Sequence, residues 1–499
     1  MLLIITADAA ETTKERSSSS SSPYVLIIDG GSTGSRLHAF HYVSNNNNYN
    51  NHTSLERLTS TRVFQPLTHF VNASTAEVTE HVLPLFTPEL AQLIPTMYHA
   101  TTPVYYAATA GMRLVPLHLQ TQVYQRMEQG LQQHPDFPYQ IGQLFTLSGD
   151  MEALYGVVAC NYLQKQQQQR RQGSATHHHH DKPVTVAALD LGGASTQVAL
   201  PRPNHNATST TTSTTDSVYA VSHLAFGVDQ FQQRLPDGDA FDRLCRNSPT
   251  THAAACADLL RPHLLAARDT LAIPHHHHAF DSTSTTSTDD DDDVEFWAMS
   301  LYFYTMDTIR QYTAPLLDDV WPTPTIDELR AATHAFCRIP LPTLFVQQPP
   351  HPYTNAQSMA DRCYQAVYII ELLKVMGFPD DGDDDVYDAN QRQQNYRKIR
   401  FLLDVDGSEV EWTLGMALAV QNEPLQQQQS RTEDDEAVSE YVSPVDDISK
   451  VDPRQEEEGS CGAEQKTGNK ENLTCASSTT TPPHDATVLG AEDLVAAAS

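Results

Sequence analysis

Three features of the sequence predict an α/β chain built from two related halves. Residues 24–29 and 184–189 are short apolar runs rich in Val, Ile and Leu, and read as buried strands. Each is followed by a Gly-rich turn next to an aspartate and then by a second strand, at 37–42 and 198–200. The two aspartates, Asp29 and Asp190, stand 161 residues apart, so the unit is duplicated rather than isolated. Helix-like segments separate the strands, as a layered α/β architecture requires.

Taken in order, the strand at 24–29 leads through its turn to the strand at 37–42. Another strand is expected at 104–108 and a helix at 121–133. A helix opening at Ser148 is expected to end near Asn161 and Tyr162. After the second turn unit, residues 295–313 read as one helix and 365–376 as another, apolar on one face. Two short strands at 401–405 and 410–414 flank Asp406-Gly407, a hairpin signal. Runs of one residue type interrupt this order: Ser17–Ser22, Asn45–Asn48, Gln166–Gln169, His177–His180, His275–His278, Asp289–Asp293, Asp383–Asp385 and Gln426–Gln429. Such tracts, with the Ser/Thr stretches at 208–215 and 282–288, bury too little apolar surface to offset their ordering entropy and read as loops or disorder. The His runs lack a Cys or Asp at ligand spacing and read as low complexity rather than as metal sites. The resulting division is a low-complexity N-terminus at 1–22 and a first lobe at 23–160, completed by 408–425. A second lobe with inserts occupies 161–407, and an acidic tail without periodicity occupies 426–499.

Charge narrows the function. The 499 residues carry 31 Lys and Arg against 62 Asp and Glu, a formal net charge of −31, and residues 430–499 alone hold 16 acidic and 5 basic side chains. With no compensating basic patch, a nucleic-acid partner is not expected. No stretch approaches the roughly 20 apolar residues a membrane span needs. The start MLLIITADAA is short and lacks a basic segment, so it reads poorly as a signal peptide. Seven cysteines form no C-x-x-C pair, which argues against structural zinc. Cys245 and Cys256, and Cys337 and Cys363, flank loops and are candidates for disulfides.

The duplicated turns carry the chemistry. Residues 29–36 read DGGSTGSR and 190–197 read DLGGASTQ. Glycines let backbone amides approach phosphate oxygens and form an anion-binding nest. Ser and Thr hydroxyls add donors, and an aspartate can hold a divalent cation through its waters. Two such turns across a cleft would clamp a metal–polyphosphate complex; a pair of ordinary Gly-rich hairpins is the plainer alternative.

This organisation resembles the two-lobed actin-like ATPase (ribonuclease-H-like) fold, with its active site in the interlobe cleft. Further motifs are ATAGMR at 108–113, SGDME at 148–152, FWAMSLYFYT at 296–305 and WTLG at 412–415. In this order they resemble the conserved regions of the apyrase, or nucleoside triphosphate diphosphohydrolase, family from about residue 24 to 422. The resemblance implies metal-dependent hydrolysis of nucleoside tri- and diphosphates, with Mg2+ or Ca2+ as cofactor. It implies Glu152 as general base, where a helix-start glutamate is the plain alternative, with Gln197 and Ser195 orienting the water. Asp29 and Asp190 would hold hydrated metal, with Trp412 nearby, although all three also suit structural roles. Ser32, Thr33, Gly34, Ser35, Thr109, Gly192, Gly193 and Ala194 would contact phosphate. Arg36 and Arg113 would neutralise charge or brace the turns, and Tyr304 would stack on the base unless it is simply a packed helix residue. Cys337 and Cys363 match a family disulfide, which favours the secretory pathway or an extracellular setting.

The sequence departs from that pattern at Ala153, where a glycine is usual, and at Val157, where an aromatic is frequent. At Val228 the cell-surface members often carry a basic residue. Ala153 and Val157 keep open a nucleotide-binding protein without turnover, and Val228 suggests looser base selection or a preference closer to the soluble diphosphatases of the secretory pathway. An exopolyphosphatase or a kinase of the same fold is a separate alternative, and a kinase would need an acceptor site.

Overall fold

The computed structural model describes residues 22–45, 52–174, 186–201, 218–236, 238–246, 253–273, 294–346, 351–378 and 398–422. The chain divides into two compact units, Met1–Arg431 and Thr432–Ser499, and every described residue belongs to the first. The expectations for the two His runs, for the Ser/Thr and Asp runs and for the tail at 426–499 lie outside the described residues.

Two five-stranded sheets share one topology. The first comprises β1 (Tyr24–Gly31), β2 (Gly34–Asn45), β3 (His52–Val63), β4 (Pro103–Ala108) and β5 (Gln140–Thr146), in the order β3-β2-β1-β4-β5. The second comprises β6 (Val186–Leu191), β7 (Ser195–Pro201), β8 (Val218–Leu224), β9 (Glu295–Ser300) and β10 (Lys398–Phe401), in the order β8-β7-β6-β9-β10. In each, the first strand pairs antiparallel with the second and parallel with the fourth. This is the two-lobed actin-like α/β fold.

Period-two alternation explains why the central strands are apolar on both faces. On β1, Leu26 and Ile28 pack outward with Val78, Val123 and Leu131, from the helices Thr75–Val82 and Leu117–Gln133. Val25 and Ile27 point the other way, into a layer shared with the second sheet. That layer is filled by two helices, Gly149–Ser174 and Trp412–Asn422, through Leu154, Tyr155, Cys160, Trp412, Leu414 and Met416. The outer face of the second sheet packs against the helices Leu301–Tyr312, Ile326–Cys337 and Ala356–Val375. Fully burying one large aliphatic side chain contributes about 1.5–3 kcal/mol, so this shared layer is a major stabilising element. Its two helices touch backbone to backbone: a Cβ on Gly415 would lie 1.9 Å from the Tyr155 carbonyl oxygen.

Both candidate disulfides form, Cys245–Cys256 and Cys337–Cys363. The second ties the helix Ile326–Cys337 to the helix Ala356–Val375. Among the described residues Cys160 is the free, buried cysteine, and no described helix is long and apolar enough to cross a membrane.

Several local expectations are corrected. Residues 295–313 are not one helix: Glu295–Ser300 is β9, and the helix begins at Leu301. A continuous apolar run fits either state, and here Phe296–Met299 fills the slot between β6 and β10. Ser300, at φ 55°, makes the corner between them. Residues 410–414 are not a strand; Trp412 opens a helix, and the hairpin at Asp406-Gly407 joins only the two-residue strands β11 (Asp404–Val405) and β12 (Ser408–Glu409). The helix from Gly149 runs on to Ser174 and absorbs Gln166–Gln169, since glutamine is a good helix former.

Candidate active site between the two turns

The two Asp-bearing turns face each other. A Cβ on Gly193 would lie 2.5 Å from Ser32 Oγ and 2.4 Å from Asp229 Oδ2, so only glycine fits where the turns meet. The loop at 225–230 braces the second turn. The amides of Ala225, Val228, Asp229 and Gln230 donate to the carbonyls of Ala194, Gly192 and Gly193. Gly227 lies so close that its Cβ would meet the Ala194 and Ser195 nitrogens at 2.3 Å. With its carbonyls consumed inside the protein, the turn suits an anion rather than a cation.

Strand register aligns the two halves residue by residue. Asp29 pairs with Arg36, and Arg36 with Arg62 on β3. Asp190 pairs with Gln197, and Gln197 with Ser222 on β8. Arg36 and Gln197 therefore occupy equivalent places.

Glu152 lies in the first turn of the helix that follows β5, where Ser148 accepts the Met151 amide at 3.3 Å. It is buried, at 7% exposure, and its Oε2 accepts from Gln197 Nε2 at 2.9 Å and from Arg113 Nη2. The Gln197 amide also donates to Ser195 Oγ at 2.6 Å and to Ser222 Oγ at 3.1 Å. Arg113 is fixed by Nε donating to the Leu147 carbonyl at 2.8 Å, while its Nη1 is buried without a partner among the described residues. Thr109 caps this corner, its amide donating to the Gly30 carbonyl at 3.0 Å.

The cleft is strongly acidic inside. Burial pushes the Glu152 carboxyl up, and Arg113 only partly opposes this. Burial, then repulsion from Glu152, raises Asp190 to about 7. Asp29 is raised well above the usual range by burial and by repulsion from Glu152, Glu411 and Asp190. Its Oδ1 is buried and has no hydrogen-bond partner among the described residues. A divalent cation would relieve these carboxylates, and the donor set, all hard oxygens, fits Mg2+ or Ca2+. Among the described residues no three His, Cys, Asp or Glu converge as direct ligands, so the fit is to a hydrated ion.

Other predicted residues sit differently. The Ser35 hydroxyl is buried against Tyr106 Oη at 2.6 Å and braces the strand pair instead of facing the cleft. Trp412 is buried in the shared layer at 4% exposure. Tyr304 interacts through its hydroxyl with Arg36, and its ring lies 5.4 Å from that of the exposed Tyr353. Ala153, Val157 and Val228 are all core residues, at 3%, 2% and 1% exposure.

Sequence reasoning missed Glu411, His38, Arg62 and Tyr353. Glu411 accepts from Arg36 Nη1 at 2.9 Å and lies 3.1 Å from His38 Nε2. Burial alone would raise Glu411, but His38, Arg36 and Arg57 outweigh it and hold the carboxyl low. Its place immediately before WTLG was the available signal.

The sequence matches the GDA1/CD39 (nucleoside phosphatase) family over residues 15–239 and 246–432. The chain belongs to this family. Among similar proteins, ectonucleoside triphosphate diphosphohydrolase 1 of Mus musculus is 34% identical over 149 residues, covering 28% of this chain and 29% of the relative. The Golgi apyrase of Saccharomyces cerevisiae is 28% identical over 187 residues, covering 34% of this chain and 28% of the relative. These alignments thus span under a third of the relatives' lengths. Among solved structures, nucleoside triphosphate hydrolases from Neospora caninum align with TM-score 0.46 at 13% identity, over 79% of this chain and 91% of that one. An Aquifex aeolicus member of the Ppx/GppA family aligns with TM-score 0.46 at 12% identity, over 80% and 99%.

Proposed function

We propose that the chain hydrolyses nucleoside tri- and diphosphates toward the monophosphate, with Glu152 as general base. The observation that carries this reading is the hydrogen-bonded set Glu152–Gln197–Ser195, placed between two facing Gly-rich turns. Glu152 takes a proton from water, and Gln197 and Ser195 orient that water toward the terminal phosphorus. The water oxygen bonds to phosphorus, the bridging P–O bond breaks, and the shortened nucleotide leaves with the bond's electron pair. Amides of the two turns, with Thr33 and Thr109, stabilise charge on the phosphoryl oxygens, and Arg113 offsets the charge of Glu152.

Asp29 and Asp190 would hold Mg2+ or Ca2+ through its waters, near Trp412, and the bound ion would neutralise phosphate charge. Tyr304 and Tyr353, adjacent aromatics at the cleft, offer a stacking surface for the base. The two disulfides, and relatives named for the Golgi and the cell exterior, favour the secretory pathway or an extracellular setting.

The test is phosphate release from ATP, ADP, GDP, UDP and polyphosphate by chelator-stripped protein, with and without Mg2+ or Ca2+, beside Glu152→Gln. Metal-dependent release from nucleotides that is lost in the variant is expected. Nucleotide binding without release under either metal would overturn hydrolysis, and release from polyphosphate alone would favour the exopolyphosphatase reading.

A further inference from the structure

We propose that Arg62, on the edge strand β3, is a phosphate-binding residue of the cleft that contacts the phosphates on the nucleoside side of the scissile bond. The inference rests on the hydrolase reading above and adds a residue outside both Gly-rich turns.

The argument begins with register. Asp29, Arg36 and Arg62 are directly paired across β1, β2 and β3, so their side chains share one face of the sheet. Adjacent strands lie about 4.8 Å apart, which places the Arg62 backbone about 10 Å from that of Asp29, within reach of a long side chain. Directly opposed like charges on neighbouring strands are destabilising unless an anion offsets them. Arg36 has its anion in Glu411, at 2.9 Å. Arg62 has no carboxylate partner among the described residues.

Arg62 is nonetheless held in place. Its Nη2 donates to Thr33 Oγ1 of the first turn at 3.0 Å, and its guanidinium lies 5.0 Å from the centre of the Phe64 ring. The side chain is solvent-exposed, so a ligand can reach it. What cover it has, and then the charge of Arg36, act against its own charge, whereas Tyr304 and Asp29 support it. An aimed, accessible cation beside a phosphate turn and lacking an internal anion suits the oxygens of a polyphosphate.

Position selects which phosphates. Glu152 and Gln197 mark the side from which water attacks. Arg62 lies at the other end of the row, beside Tyr304 and the first turn. The phosphates that stay with the nucleoside fall there.

The experiment compares wild type, Arg62→Gln, Arg62→Lys and Phe64→Ala by steady-state phosphate release from ATP with metal at several salt concentrations. It adds equilibrium titration with the imido analogue of ATP, which reports binding without turnover. Expected for Arg62→Gln is a roughly tenfold rise in KM with kcat within about threefold, and a weaker salt dependence of KM, since exposed charge pairs are screened. Arg62→Lys should recover most of the loss. Phe64→Ala, which withdraws the supporting ring but keeps the charge, should raise KM by a smaller factor. An Arg62→Gln protein with wild-type KM and wild-type analogue affinity overturns the proposal. If that variant does not fold, Phe64→Ala carries the test, and unchanged KM and unchanged analogue affinity in it overturn the proposal. Should wild type release no phosphate, the hydrolase reading fails by itself. The analogue titration then still decides whether Arg62 binds phosphate.

Discussion

The two halves of the cleft place different side chains on the same backbone. In the first, the row across three strands reads Asp29, Arg36, Arg62; in the second it reads Asp190, Gln197, Ser222. The helices are exchanged between the halves in the same symmetrical way. The helix following β5 brings Glu152 to Gln197 of the second sheet, and Glu411, just before the helix that follows the second sheet, meets Arg36 of the first. Glu152 thus faces one neutral amide and one arginine, Arg113, whereas Glu411 is flanked by two arginines, Arg36 and Arg57. Burial raises Glu152, as would suit the general base proposed above, whereas its counterpart is held low. The scaffold supplies the positions, and how far cations offset burial at each carboxylate separates the two.

That division predicts an asymmetry in activity, the largest effect expected. Glu152→Gln should lower kcat for nucleotide hydrolysis by about 10³, within the range for a lost general base, while Glu411→Gln should cost less than about tenfold. Equal losses would erase the distinction. The second half also buries a histidine near its turn, His223, lowered to about 4 by burial. Between pH 6.5 and 4 the unfolded chain takes up a proton at His223 that the fold refuses, so its contribution to stability falls as pH falls. Replacing His223 with Leu should remove its share. Urea midpoints should then show wild type losing up to about 3 kcal/mol relative to the variant on going from neutral pH to about pH 4. A constant difference across pH would refute the assignment.

Two smaller tests separate bracing from chemistry. Gly227→Ala, with no room against the second turn, should destabilise the fold by about 2 kcal/mol and lower activity along with the melting temperature. Ser35→Ala should remove one buried hydrogen bond, costing about 1 kcal/mol with kcat/KM nearly unchanged. Ser195→Ala should do the reverse. A kinetic defect in Ser35→Ala would return that hydroxyl to the phosphate site.

The duplication was legible because glycine turns and buried central strands leave strong local signals, and Glu152, Gln197 and Ser195 come together between the two turns. Much of the rest was not. β3 reads HTSLERLTSTRV, an edge strand whose polar residues mask its alternation, and with it Arg62 stayed hidden. Glu411 needed the fold to bring it to Arg36, 375 residues earlier in the chain. The apolar segments beginning at Glu295 and Trp412 carried too little periodicity to separate strand from helix. Ser35 matched the expected motif, yet the strand pleat turned its hydroxyl toward Tyr106, which only register reveals.

The helix Trp412–Asn422 also determines when the molecule can finish folding. Val25, Ile27 and Phe40 are made long before Trp412, but the face they present is closed partly by the last described helix. Until that helix emerges, the nascent chain carries an apolar sheet face lacking one of its partners, which begins at Trp412, 387 residues beyond Val25. Contacts of such long sequence separation form slowly. The interval in which the first half exists without its lid is therefore the period of greatest exposure to misassociation, and Trp412 ends it.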